Sequence, residues 1–507
     1  MSAGSNSAAS SGFIDRFSSR FKLRLDPDWS YRQKKLFILK KFLDGSIYDN
    51  LSPFHTEFTG NDNNGQYITL ANRRPSVTYN LCKIIVEESI SLLFGDDHFP
   101  VIRCNEYEKT STFLQYITRT CGLKKVMLNA ARVGSVGSSC IAIKVLEEKF
   151  YFEALETKNL TPIFNKMKPD ELEEVIEKVK VDGSTLISFG YNISKDDLNK
   201  FYWVRRDWTK NEEIFYQPYL CEKDEDRDFS PNKDEEKSAT HNFGFVSLVW
   251  IKNLPSAAMI DGACTFESIL DINIEIDYQL SQLGRLIKYN SDPTFVIKNP
   301  SAMEGSKLIK SVGILNLDES GDAYYAEISG KSSEPAMNYV KMLREYALEV
   351  ARGNRTNPDK INGVQSGKAI QMLNSSLISL VSEMRITYGD YGLLQIYKMV
   401  LDITNNAKIK VDYGDYPPDN NDKCEDNLVL DWPDWYPLSA QEKYQEAQTL
   451  ASYKQNNILS TKTAVESIAD EYNILDIPSE LKDIEKEKKQ EYTLSNSNSN
   501  IDNNSSK

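Results

Sequence analysis

Histidine is scarce, with three in 507 residues, at positions 55, 98 and 241. They lie far apart along the chain, so neither a histidine-based metal centre nor a histidine proton relay is expected. The seven cysteines (82, 104, 121, 140, 221, 264 and 424) are odd in number, dispersed and without a CxxC pair. That pattern excludes a disulfide framework and reads as free thiols of a reducing compartment. No stretch approaches the ~18 uninterrupted apolar residues of a membrane-spanning helix. Residues 1–12 are rich in Ser, Ala and Gly and lack an apolar centre, so no secretory signal is expected there. Residues 134–139, Gly-Ser-Val-Gly-Ser-Ser, invite comparison with a phosphate-cradling loop but lack its Gly-Lys-Ser/Thr ending. They are expected to form a turn into a strand at 140–145. No Ser/His/Asp, Cys/His or paired-carboxylate arrangement stands out. Asp96-Asp97-His98 follows Gly95 at a helix end and reads as a polar turn. The acid-rich loop 415–426 lacks the spacing and the turn glycine of a calcium loop. No cofactor, metal or enzymatic activity is therefore expected.

What the chain does have is ordinary hydrophobic content, 40%, and an acidic balance, −14. Its length allows two to four domains. A molecule of this net charge is not built to adhere broadly to nucleic acid or to an anionic membrane. The most informative stretch is a polar break, residues 353–363, set between two long helical patterns. The first starts at Ser333 as N-cap with Pro335 in its first turn. Met337, Val340, Leu343, Ala347 and Val350 recur at helical steps, and Gly353 stands where a C′ glycine would stop the helix. The second runs from Ser366 to about Thr404, with Ile370, Leu373, Leu377, Leu380, Met384, Tyr388, Tyr391 and Leu394 on one face. Gly389 and Gly392 lie inside it, and a kink is expected there.

Elsewhere, 13–44 is basic and periodic and reads as a surface helix with a solvated face. Helices are expected over 73–94, 114–133 and 265–289, the last with Phe266, Ile269, Ile276, Leu280, Leu283 and Ile287 on one stripe. From 145 to 251 the pattern is mostly strand-like, with a short helical insertion near 170–181 and a solvated acid-rich loop at 222–237. Strands are expected at 294–297, 312–317 and 323–328, with a hairpin turn at 318–322. Short strands follow at 409–411 and 428–430, then helices at 439–454 and 460–472. Residues 494–507 are Ser/Asn-rich and expected to be disordered.

This order of elements resembles the portal protein of tailed bacteriophages, in the family found in many long-tailed phages of Gram-positive hosts. Four stretches carry the resemblance. They are Asn72-Arg73-Arg74-Pro75 leading into the helix before Gly95, and Phe201-Tyr202-Trp203 with Trp208 and the return at 241–250. The others are Ser366-Gly367-Lys368-Ala369 and Leu459-Ser460. Ser247 stands where relatives often carry proline. The resemblance runs from about 30 to 475 and implies an α+β portal fold. Residues 1–29 would be a flexible N-terminal segment, and 30–264 the first, α/β part of an outer wing. Residues 265–289 and 333–353 would be two stem helices, with a small β-rich clip at 290–332 between them. A tunnel loop would follow at 354–365. Residues 366–438, with a long radial helix, would complete the wing, 439–475 would form a helical crown, and 476–507 a charged tail.

The resemblance further implies a ring of twelve subunits at one capsid vertex of the virion, assembled in the host bacterial cytoplasm. Double-stranded DNA would pass through its channel in packaging and ejection. Asn354, Arg355, Thr356, Asn357, Asp359, Lys360 and Asn362 would face that DNA. Ile276, Leu280, Leu283, Ile287, Val340, Leu343 and Ala347 would line the stem and subunit interface. Phe295, Val296, Ile314, Leu315, Tyr324 and Tyr325 of the clip would dock the terminase large-subunit ATPase and later the head–tail adaptor. Major capsid and scaffolding proteins would be further partners, and no membrane would be involved. Two other readings stay open. One is a monomeric or small-oligomer helical scaffold. The other is a metal-dependent nucleic-acid enzyme using Asp96, Asp97 or the 415–426 carboxylates.

Overall fold

A computed structural model describes residues 6–59, 65–105, 107–221, 232–256, 260–291, 294–298, 322–326, 333–354, 367–406, 411–418, 427–436, 440–469, 477–487 and 489. The chain divides into two units. The first holds Met1–Thr356 with Leu373–Trp435, the second Asn357–Met372 with Tyr436–Lys507.

The first unit opens with helices α1 (Asn6–Arg20) and α2 (Tyr31–Leu43), followed by α3 (Leu81–Phe94). Strand β1 (Val101–Cys104) leads to α4 (Glu108–Thr120) and α5 (Leu123–Gly134). Strands β2 (Ser138–Leu146), β3 (Lys149–Glu156), β4 (Leu160–Phe164) and β5 (Leu172–Asp182) come next, then the short α6 (Gly183–Ser188). Strands β6 (Phe201–Trp208), β7 (Glu212–Phe215), β8 (Tyr219–Leu220), β9 (Ala239–Thr240) and β10 (Leu248–Lys252) complete the α/β part. Helix α7 (Leu270–Ser291) then leads through β11 (Thr294–Lys298) and β12 (Asp322–Ala326) to α8 (Ser333–Val350). After α9 (Gly367–Leu373) come α10 (Ser375–Met384), a π-helical segment Arg385–Leu393, α11 (Leu394–Asn406) and β13 (Leu428–Asp431). Helices α12 (Ala440–Gln455) and α13 (Thr461–Ile468) belong to the second unit. The architecture is α+β.

Besides the antiparallel pair β11–β12, three antiparallel arrangements organise the first unit. One sheet has strand order β10-β2-β3 and a larger one β4-β5-β6-β7-β9, with β8 also on β6, while β1 pairs β13. The first sheet lies against the main core. Ile141, Ile143, Val249 and Ile251 join α3, α5, α7, α10 and α11 in one apolar cluster. Arg32 ties α2 to this frame through a two-pronged pair with Asp261, at 2.6 and 2.8 Å, and hydrogen bonds to the Thr157 and Leu160 carbonyls.

Several expectations change. Asn6–Arg20 is helical, and Phe17 and Phe21 are buried against Phe42 and Tyr48. The i, i+4 phenylalanines give it an apolar face, so 13–44 is two core-bound helices, not one surface helix. Where a helical insertion was expected near 170–181, Leu172–Asp182 form strand β5. Val175, Ile176, Val179 and Val181 favour a pleated surface, and β5 is paired on both sides, by β4 and β6. The expected helix at 73–94 begins only at Leu81. Asn80 takes the left-handed conformation (φ 44°) and caps the Lys83 N–H at 3.1 Å. The expected helix at 114–133 breaks at Gly122, φ 62°. The long helix at 366–404 is interrupted at Asn374 and again by the π segment. The turn at 134–139 is present, closed by Gly137 N–H to the Gly134 carbonyl at 2.7 Å. The strands expected at 312–317 and most of 409–411 lie outside the described residues.

Candidate functional site

The hairpin of α7 and α8, with β11 and β12 between them, is the natural starting point, because the resemblance puts the stem there. Its apolar stripe divides. Ile276 and Ala347 are buried inside the chain itself, at 1% and 0% exposure. Leu280, Val340 and Leu343 are half-buried against the same core, Leu283 is half-buried, and Ile287 is exposed. In the strand pair, Phe295 lies opposite Tyr325 and Val296 opposite Tyr324. Ile314 and Leu315 fall outside the described residues.

Sequence reasoning missed what holds α7 to the body. Asn273, Asp277 and Ser281, spaced i, i+4, i+8, form a buried polar ladder along one face. The Leu81 N–H donates to Asn273 Oδ1 (2.8 Å), the Tyr79 N–H to Asp277 Oδ1 (2.7 Å) and the Val77 N–H to Ser281 Oγ (3.1 Å). Tyr48 Oη and Asn273 Nδ2 donate to the other Asp277 oxygen, at 2.9 and 3.2 Å. The extended chain before α3 thus satisfies its backbone donors on helix side chains instead of on a sheet. Burial pushes the Asp277 carboxyl up to about 6, despite the donors that favour its charged form. The signal was present as three polar residues at helical spacing, but that pattern also describes an ordinary solvated face.

At its far end α8 closes in a Schellman turn. Gly353 N–H donates to the Leu348 carbonyl (2.8 Å) and Arg352 N–H to that of Glu349 (3.4 Å). The left-handed residue is Arg352, φ 56°, and not the glycine expected there. Gly353 serves close packing instead, since a Cβ on it would meet Leu348 Cδ2 at 2.8 Å and Ile85 Cγ1 at 3.3 Å. The Arg352 guanidinium grips Glu383 of α10 at 2.7 and 3.1 Å. Asn354 N–H donates to the Glu88 carboxylate, whose carboxyl burial pushes up against the opposing pull of Arg344 and of that N–H. Of the residues expected to face DNA, Asn354 is therefore seen at an anchored root. Arg355, Thr356, Asn357, Asp359, Lys360 and Asn362 lie outside the described residues.

The π segment is shaped by close approach. A Cβ on Gly389 would meet Trp432 Cζ2 at 2.7 Å, and one on Gly392 would meet Ile251 Cδ1 at 2.8 Å. Arg385, its first residue, lies over the rings of Trp432 and Trp435 and donates to the Pro433 carbonyl at 3.2 Å. His98 Nε2 sits 3.1 Å from the Trp435 carbonyl, which can only accept, and Asp96 pairs with Lys124 at 3.0 Å. The Asp96–His98 turn is thus used in packing. Among the described residues no group of three or more His, Cys, Asp or Glu gathers to hold a metal ion. No helix among them is long and apolar enough to cross a membrane.

A family model for "Phage portal protein, SPP1 Gp6-like" matches residues 69–493. No curated protein matches the chain. The family match covers most of the sequence, including the polar ladder, the hairpin, the loop root and the π segment, and the chain belongs to the SPP1 Gp6-like family of phage portal proteins.

Proposed function

We propose that twelve copies of this chain close into a ring at one vertex of the virion capsid, and that double-stranded DNA is packaged and ejected through its bore. The α7–α8 hairpin forms the stem, and the strand pair β11–β12 belongs to the clip. The clip docks the terminase large-subunit ATPase during packaging and a head–tail adaptor afterwards. Residues 439–475 form the crown, and major capsid and scaffolding proteins surround the ring. The reading is carried by the family match over 69–493. The helical hairpin with its interposed strand pair supports it.

The charge balance suits such a channel. DNA presents one phosphate charge per ~1.7 Å of its axis, and many cationic contacts would hold it fast through counterion release. A subunit of net charge −14 lines a passage that repels more than it binds. The chain acts as a guide or valve, and a separate ATPase supplies the work, since no nucleotide-binding motif accompanies the fold. Arg355 and Lys360 touch phosphates in passing.

The direct test is electron microscopy of the purified protein viewed down its axis, together with its mass in solution. An annulus of about a dozen chains is expected under this reading. A fixed monomer or small oligomer at every concentration would turn the assignment toward a scaffold, and a stoichiometric divalent ion with nuclease activity toward an enzyme. A second test is Arg355→Ala with Lys360→Ala in virions, read as packaged genome length and retention. Unchanged values would remove both side chains from the mechanism.

A further inference from the structure

Helix α8 carries a second apolar stripe that the described residues leave open. Tyr339, Met342, Tyr346 and Val350 recur at steps of three and four and are 38, 40, 52 and 53% exposed. At ~100° per residue the stripe lies roughly a quarter of a turn from the Val340, Leu343 and Ala347 side that packs inward. Four large apolar side chains in one exposed row are more than scattered surface hydrophobics and mark an interaction surface.

Helix α7 offers a counterpart. Gly284 stands well inside it and is exposed, and a Cβ built there would meet nothing within 4 Å. Its φ is not positive. Glycine weakens a helix interior relative to alanine. Neither backbone geometry nor a close neighbour among the described residues offsets that weakness here. The bare backbone at 284 is a notch facing outward. Charge points the same way. After Asp277, α7 carries no acid, Arg285 is paired with Glu57 at 2.6 Å and Lys288 is exposed, while the exposed charges of α8 are Glu334, Lys341, Glu345 and Glu349.

We propose that a second copy of this chain lays its Tyr339–Val350 stripe across α7 at Gly284, with a tyrosine ring seated on the exposed backbone. The contact is heterologous, one face meeting a different face, which is the kind that closes rings. A second copy is favoured over a foreign partner because stripe, notch and opposed charges all occur on one hairpin. The proposal rests on the ring reading above and names the surfaces that the ring would use.

The experiment compares Gly284→Ala, Gly284→Leu and Tyr339→Ser/Tyr346→Ser with the native chain. Mass photometry gives the assembly midpoint, and thermal melting of the unassembled chain reports folding. Gly284→Leu is expected to raise the assembly midpoint at least tenfold while the unassembled chain melts no lower than native, because the new side chain meets open space. Gly284→Ala should raise the melting temperature yet still weaken assembly. If the tyrosine variant melts early, the two glycine variants decide. Rings of Gly284→Leu forming at the native midpoint would overturn the interface. A native chain that never assembles would instead remove the ring reading, and the interface with it.

Discussion

Helices α7 and α12 are both long, yet they are held in different ways. In α7 one face is buried along its first half, with Leu270, Asn273, Ile274, Ile276, Asp277, Tyr278 and Ser281 all covered by the chain's own body. In α12 no side chain described is buried, and Tyr444 and Tyr453 are 63% and 45% exposed. In proteins most helical stability comes from tertiary packing of one face. The partner of α7 is visible within one subunit. Around α12, the buried side chains among the described residues of its unit are Val465 on α13 and Ala469 just after it. A helix's periodicity therefore shows that a partner exists, and burial shows whether the same chain provides it.

The sharpest way to break this contrast is Asp277→Leu. It strands the Tyr79 N–H and the Tyr48 hydroxyl as buried donors without an acceptor. Losing the two together should cost about 3–5 kcal/mol of folding stability. Tyr444→Ser on α12 should change the unassembled chain by less than about 0.5 kcal/mol. Chemical denaturation of the two variants side by side measures both. Equal losses would mean that α12 has a hidden partner or that the ladder is slack.

A pH series sharpens the same comparison. The Asp277 carboxyl is raised from its ordinary 3.8 to about 6 in the fold. A carboxyl raised in this way binds its proton more tightly folded than unfolded. Stability from this group is thus full below about pH 4, falls as pH rises toward 6, and is flat above. The total is at most about 3 kcal/mol, from roughly 1.4 kcal/mol per unit. Asp277→Asn removes the titrating group and should erase the slope between pH 4 and 6. Its one amide oxygen still accepts from the Tyr79 N–H, while its NH2 faces Tyr48 and the Asn273 amide, so the variant is also less stable at every pH. A slope that survives in Asp277→Asn would belong to other carboxyls, Glu88 among them.

Much of the architecture was legible because periodicity answers to burial. The helices expected at 265–289 and 333–352 were found from apolar spacing, that expected at 460–472 is seen over Thr461–Ile468, and the turn at 134–139 was read from the missing lysine. The rest failed where a local pattern had two meanings. Residues 172–182 carry charges at helical spacing, yet pairing on both sides makes them a strand. Phe17 and Phe21 sit in a Ser-rich segment whose composition suggests looseness, while the aromatic contacts with Phe42 and Tyr48 hold it. In the candidate site the hairpin stripe was readable. The ladder of Asn273, Asp277 and Ser281 was not, because its partners are backbone N–H groups some two hundred residues away. Nor could sequence show that Ile276 and Ala347 are covered within the chain, leaving another face of α8 open.

A smaller effect than that of Asp277 is expected at Arg352, where two local terms oppose each other. A non-glycine residue in the left-handed region costs about 1–2 kcal/mol. Its half-exposed pair with Glu383 returns only about 0–1 kcal/mol. Arg352→Gly relieves the first and loses the second, and glycine's extra freedom when unfolded takes back about 0.4–1 kcal/mol. Its net change should therefore stay within about 1 kcal/mol of the native chain, with Arg352→Ala lower than Arg352→Gly by a comparable amount. Glu383→Gln isolates the ion pair without touching the backbone. Should it melt with the native protein, the pair contributes nothing to stability, and the arginine keeps a strained backbone for another reason. Its position, two residues before Asn354, then points to holding the loop root in place. Tryptic cleavage at Arg355 or Lys360 that is faster in Glu383→Gln than in the native chain would show that role. Equal cleavage and equal melting together would leave the pair without any part in anchoring the loop.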